Sequence, residues 1–156
     1  MNSIIDLAVY FTKSARDFEL SNARLTKMIY LTDWRSVLVS EAQVTDIVWH
    51  FDTYGPFVWD VHNCLNSEPE LFETDIRDAV ENRILRRMVK LKNTGSVAHL
   101  SDEVIRVAKH VVDSTLKLSW TEFVRLIYST YPVSKSKRFT DLDLTMLGIE
   151  YKKLVN

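Results

Sequence analysis

The chain holds one cysteine, three glycines and three prolines in 156 residues, and it has no long apolar run. Each shortage excludes something. A lone cysteine, Cys64, can neither close an intramolecular disulfide nor fill a four-cysteine zinc site, which suits a reducing compartment. So little glycine and proline cannot turn the corners of an all-β sandwich or barrel, whereas helices need less of that punctuation. No window reaches the ~18 apolar residues of a transmembrane helix. The opening MNSIIDLAVYFTKSARDF is apolar on one face only. Asp6 interrupts it, and it lacks the basic start and continuous apolar centre of a secretory leader, so a cytoplasmic protein with no membrane partner is expected. An excess of one charge is missing too. The formal net charge of −1 gives no overall field toward DNA, RNA or anionic lipid, although a local basic patch remains compatible with it.

Apolar residues make up 46% and charged residues 26%, an ordinary globular balance. The length fits one domain across 1–156, able to bury roughly two-thirds of its unfolded surface. Ile4, Ala8, Phe11 and Ala15 recur at helical spacing over 3–18, with Ser3 and Asp6 set like a capping box. A second helix is expected from Ser21 or Asn22 toward Leu38 through Leu25, Met28, Ile29 and Thr32. Leu31, Trp34 and Val37 widen its apolar stripe beyond one face, which marks it as the central, most buried helix.

Residues 44–52 are rich in β-branched and aromatic types and read as a short extended segment. Gly55-Pro56 then reads as the opening of a helix in which Val58, Val61, His62 and Leu65 share a face. Residues 71–92 are the least helical part. Residues 84–92 mix apolar and basic types in a pattern that fits a strand or a helix, and with Phe72 and Ile76 before them and Asn93-Thr94-Gly95-Ser96 after, a small β-hairpin or wing is expected. Ser101 has the setting of an N-cap, and Ser119 with Glu122 that of a capping box whose helix Pro132 terminates. A last helix is expected from near Thr140, with Leu142, Met146 and Leu147 inward. The expected fold is mainly α (formally α+β): a bundle of five to seven helices with a small β-hairpin or wing in the middle of the chain.

Two stretches suit recognition. Trp49, Phe51, Tyr54, Phe57 and Trp59 fall within eleven residues, and aromatic side chains dominate binding hot spots. Most such residues line cores, yet alternation forbids all five from facing inward, so Tyr54 or Trp59 is expected at the surface. Arg77, Arg83, Arg86, Arg87, Lys90 and Lys92 make a basic run. A wing over 83–92 could meet an acidic protein or nucleic-acid phosphates; its plainer role is an edge strand kept soluble by charge. Catalytic and cofactor chemistry finds no support. His50, His62 and Cys64 match no zinc spacing, and no base marks Cys64 as a nucleophile. Asp75 and Asp78, like Asp141 and Asp143, sit at turns or helix starts where acids favour local hydrogen bonds. No glycine-rich phosphate loop calls for a cofactor.

The run SNARLTKMIYLTDW at 21–34, followed by YGPF at 54–57, resembles the Panacea domain, the SocA-like antitoxin family. Lys27, Met28, Ile29 and Tyr30 match its early-helix core, and Gly55-Pro56 matches its later Gly-Pro. Tyr131-Pro132, Leu142-Asp143-Leu144 and Glu150-Tyr151-Lys152 resemble its end, so the likeness extends from about 3 to 154, with 66–100 unmatched. The resemblance implies a protein partner, a toxin encoded nearby, neutralised by direct binding or by delivery to a protease. A second copy of the chain is another candidate partner, and phages and mobile elements are settings where the family occurs. It implies no catalytic residue. The alternative is a nucleic-acid-binding regulator using the wing. The residues singled out for partner binding are Tyr54, Phe57, Trp59, Arg83, Arg86, Arg87 and Lys90.

Overall fold

The computed structural model describes residues 3–79 and 84–156. Among them it is mainly helical, with seven α-helices and two small antiparallel sheets. Helix α1 (Ser3–Ser14) ends earlier than the periodicity suggests. Asp17 and Phe18 adopt left-handed φ of 57° and 56°, which breaks the helix and turns the chain into β1 (Glu19–Ser21). Asp6 does not serve a capping box. It is buried and accepts the backbone N–H of His99 at 3.0 Å, tying α1 to the approach of α4.

Helix α2 (Asn22–Ser40) is capped by the Ser21 hydroxyl, which accepts the Arg24 N–H at 3.1 Å. Ten consecutive residues from Leu25 to Trp34 are buried, so this helix is surrounded rather than laid on a surface. It packs against α1, α4 (Asp102–Thr115), α7 (Leu144–Val155) and the sheet. Arg24 clasps α4 by donating to the carbonyls of Thr115 and Leu118 at 2.7 and 2.8 Å. At the other end Gly148 of α7 lies so close to α2 that an added Cβ would meet the Val37 side chain at 2.4 Å.

A buried carboxylate fixes the chain leaving α2. Asp33 accepts the backbone N–H groups of Val44 and Thr45, both at 2.9 Å, on one oxygen. The other oxygen accepts the Thr45 hydroxyl at 2.5 Å, the Trp49 indole N–H at 2.9 Å and the Gln43 amide at 3.3 Å. Burial pushes this carboxyl above its usual range, and the bonds from Thr45, Trp49 and Val44 pull it back. No cation pairs with it among the described residues. Five donors replace water instead.

Strand β2 (Trp49–Asp52) follows, pairing with β3 (Gly55–Pro56) on one side and β6 (Asp141–Leu142) on the other. The expected helix from Gly55-Pro56 is therefore corrected. Gly55 takes φ +104° and turns the chain straight back along β2, so Pro56 sits on a hairpin edge. Helix α3 (Asp60–Asn66) begins only at Asp60, and its buried face is Val61, His62 and Leu65. The expected wing is present: β4 (Phe72–Ala79) and β5 (Ile84–Leu91) pair antiparallel, with β1 on the far side of β5.

The Ser101 cap and the Ser119–Glu122 capping box form as read. Helix α5 (Trp120–Ser129) ends before Pro132, which instead opens the short α6 (Tyr131–Lys135), where its missing N–H is harmless. Helix α7 starts at Leu144 with the Asp143 carboxylate as its cap. That start turns Met146 outward at 56% exposure, against the inward placement expected of it. Met28 is fully enclosed, so Met28→Ala should cost about 2–4 kcal/mol. Asp33→Ala, which orphans five donors, should cost about 3–5 kcal/mol. Chemical denaturation of both variants checks these values, and a change under about 0.5 kcal/mol would mean the core is misplaced.

Candidate partner-binding surface

Strand β2 sets its side chains by simple alternation. Trp49 and Phe51 point into the core, while His50 and Asp52 lie half-buried on the other side. The Trp49 ring packs edge-on against Tyr30 at 5.5 Å. Beyond Asp52 the turn lifts Tyr54 to 74% exposure. After Pro56 the chain still follows β2, because the Phe57 N–H donates to His50 O at 3.0 Å. Phe57 is half-buried and meets the Trp59 ring edge-on at 5.1 Å. Trp59, at the mouth of α3, is 55% exposed and stacks edge-on over His62 at 5.6 Å. The expectation that Tyr54 or Trp59 reaches the surface thus holds for both.

The other edge of β2 brings a residue that sequence reasoning missed. Phe139 N–H donates to Phe51 O and Phe51 N–H to Thr140 O, which lays 139–140 beside the strand. Phe139 is 64% exposed at φ 66°, a strained setting for an aromatic residue. Its neighbour Arg138 stacks over Phe51 and Tyr128 at 5.7 and 5.8 Å and donates to Thr53 O and the Tyr128 hydroxyl. Nothing local in the sequence reports the return of 138–140 to the aromatic turn.

Under this turn lies Lys27. It is 2% exposed, and its ammonium stands 5.6 Å from the centre of the Phe57 ring. A Cβ on Gly55 would sit 3.7 Å from the lysine stem, so two of the stretches that suggested a family meet here. A third joins them one turn on: the Tyr30 hydroxyl hydrogen-bonds the Thr130 hydroxyl at 2.8 Å, next to Tyr131-Pro132. Lys27 makes no hydrogen bond or ion pair among the described residues. Burial lowers its pKa to about 8, with the Asp52 charge opposing.

The wing is less basic than its sequence. Arg83 lies outside the described residues. Arg86, Met88 and Lys90 do share a face, but the register adds Glu19, Glu73, Asp75 and Arg77 to it. Lys90 lies between Glu19 and Glu73, and Arg77 bonds both Glu19 and Asp75. A shallow concavity of about 540 Å³ beside it is lined by both signs, among them Asp17, Glu19, Arg77 and Lys92. Arg87 is on the opposite face, half-buried beside the fully buried Val89 and Leu91 of the same face. Its charge reaches His62, whose pKa is lowered first by burial and then by Arg87. Through His62 and Trp59 the inner edge of the wing is thereby joined to the aromatic turn.

The histidines and cysteine weighed as ligands do not converge. His50 pairs with Asp141 at 2.9 Å, His62 bonds Asn66, and Cys64 is half-buried on α3. Among the described residues no group of three or more His, Cys, Asp or Glu is placed to hold a metal. No helix of the described chain is long and apolar enough to cross a membrane.

The described chain is thus a mainly helical frame that presents aromatic residues over buried Lys27 and Tyr30. Residues 25–132 match the family model of the antitoxin SocA-like Panacea domain, and the chain belongs to that family. The matched span includes Lys27–Tyr30, Gly55-Pro56 and Tyr131-Pro132 and stops short of β6 and α7. Comparison with curated proteins and with solved structures gives no match. Family membership brings an antitoxin-type role, and with it a partner.

The buried ammonium makes stability depend on pH in a defined direction. Because folding lowers the Lys27 pKa, the unfolded chain binds more protons between about pH 8 and 10.5, so this group's penalty is full below pH 8 and fades above it. The full penalty corresponds to roughly 3 kcal/mol. Lys27→Met should therefore raise stability at pH 7 by about 1–3 kcal/mol, with the gain shrinking toward pH 10.5. Parallel urea titrations at pH 7 and pH 10 compare the two proteins.

Proposed function

We propose that the protein neutralises a partner toxin by binding it directly through the surface formed by Tyr54, Phe57 and Trp59, flanked by Phe139 and Arg87. Tyr54, Trp59 and Phe139, exposed around one hydrogen-bonded turn with half-buried Phe57 between them, carry the reading. Aromatic anchors on a fixed backbone lose little entropy on binding and supply most of the energy of a compact interface. Occlusion of the toxin and its delivery to a protease both begin with this contact. No catalytic step is needed for either. Arg86 and Lys90 would act at a distance, adjusting the rate of encounter.

The regulator reading is the weaker one. Acids interleave the wing's cations in the described register, which removes the single-signed stripe that phosphate binding requires.

The test is co-expression with the product of the neighbouring reading frame, scored as growth rescue and then as binding kinetics. Trp59→Ala should abolish rescue and weaken binding by about 2 kcal/mol or more, roughly thirtyfold in Kd, mainly through faster dissociation. Its melting temperature should stay within a degree or two. Full rescue by a folded Trp59→Ala,Tyr54→Ala protein would remove this surface from the interface.

A further inference from the structure

We infer that this aromatic surface takes an acidic segment of the partner protein, and that one of the segment's carboxylates pairs with the Lys27 ammonium beneath Phe57. The inference rests on the reading that Tyr54, Phe57 and Trp59 form the interface. Its independent support is a mismatch of donors and acceptors beneath those rings.

A lysine nearly out of solvent ordinarily finds a carboxylate or several carbonyls. Lys27 has neither among the described residues, and the face of Phe57 is the contact it does make. Asp52 is close enough to act on it electrostatically yet forms no ion pair with it. The same shortage recurs nearby. His62 Nε2 hydrogen-bonds the Asn66 amide, and its Nδ1 is buried without a partner among the described residues. Arg138 spends its hydrogen bonds on a carbonyl and a phenol and meets no carboxylate. Two cations, Lys27 and Arg138, thus lie under or beside the exposed rings with no carboxylate bonded to either among the described residues, next to a His62 nitrogen without an acceptor.

The ammonium stands beside the face of the Phe57 ring, at the end of a side chain that is otherwise buried. Phe57 is half-buried in the short link between β3 and α3, where its backbone is held by His50 O, and the lysine has a flexible four-carbon stem. A small displacement of the head group past the ring brings it to an arriving carboxylate. In so dry a site that pairing is far stronger than at a rim, and the cost of holding the charge bare in the free protein is recovered on binding. A protein carboxylate fits better than a nucleic-acid phosphate, because Asp52, Asp60 and Asp141 border the turn and would repel a polyanion.

The probe is a displayed library of random twelve-residue peptides, selected on the full-length protein. Selected peptides are measured against the parent, Lys27→Met, Lys27→Gln and Trp59→Ala. The expected binders contain Asp or Glu beside apolar residues. Changing that acid to its amide should weaken binding at least tenfold to the parent and less than twofold to Lys27→Met, although the latter folds more stably. If Trp59→Ala destroys binding while both Lys27 variants bind as the parent does, the carboxylate pairing is wrong and the interface reading stands. Binding indifferent to both positions overturns both readings. Acid-free binders, or displacement of the peptide by duplex oligonucleotide at lower concentration than by free acidic peptide, overturn the pairing.

Discussion

The Asp33 carboxylate is the constraint on which the rest of this structure depends. A helix as enclosed as α2 could leave its C-terminus in many directions, since apolar packing is not directional. Five hydrogen bonds to one carboxylate remove that freedom. They bend residues 43–45 back over the helix and draw the Trp49 indole in, which sets where β2 starts and which of its faces is inward. Once Trp49 is placed, alternation puts Phe51 in the core and the turn at Thr53-Tyr54 at the surface. The placement of the turn that carries Tyr54 thus follows from a group wholly buried from solvent.

A single turn of the same helix links frame and surface. Lys27 and Tyr30, three residues apart, lie on one side of α2. Tyr30 is satisfied: its hydroxyl is bonded, its ring is packed on Trp49, and burial raises its pKa far from neutrality. Lys27, one turn earlier, is not satisfied. Neighbouring positions on one helix are thus used in opposite ways, one to close the core and one to leave a charge uncompensated. Natural sequences tend to keep such local inconsistency where function needs it.

Helix existence and capping were legible in the sequence because the signals are local. Ser21, Ser101, Ser119 with Glu122, and the wide stripe from Leu25 to Val37 each act within a turn or two. Gly55-Pro56 misled because the same dipeptide opens helices and closes hairpins. The choice was made by Trp49 and Phe51, whose burial holds β2 in place for Gly55 to fold back upon. The local run of cations misled at the wing for a related reason. A linear count over 83–92 cannot include Glu19 or Glu73, which only strand register delivers. Phe139 was invisible because its exposure depends on pairing with a strand almost ninety positions earlier, and no periodicity reports that.

The Asp33 cluster closes loops of ten to sixteen residues, whereas the Tyr30–Thr130 bond closes one of a hundred. The longer closure costs roughly 1.5 kcal/mol more chain entropy. During synthesis the cluster can assemble once Trp49 has left the ribosome, long before Arg138 and Phe139 exist to complete the aromatic turn. Scaffold therefore precedes surface in time. Arg138 and Phe139, which flank the aromatic turn, join it only after the Asp33 cluster can already be in place.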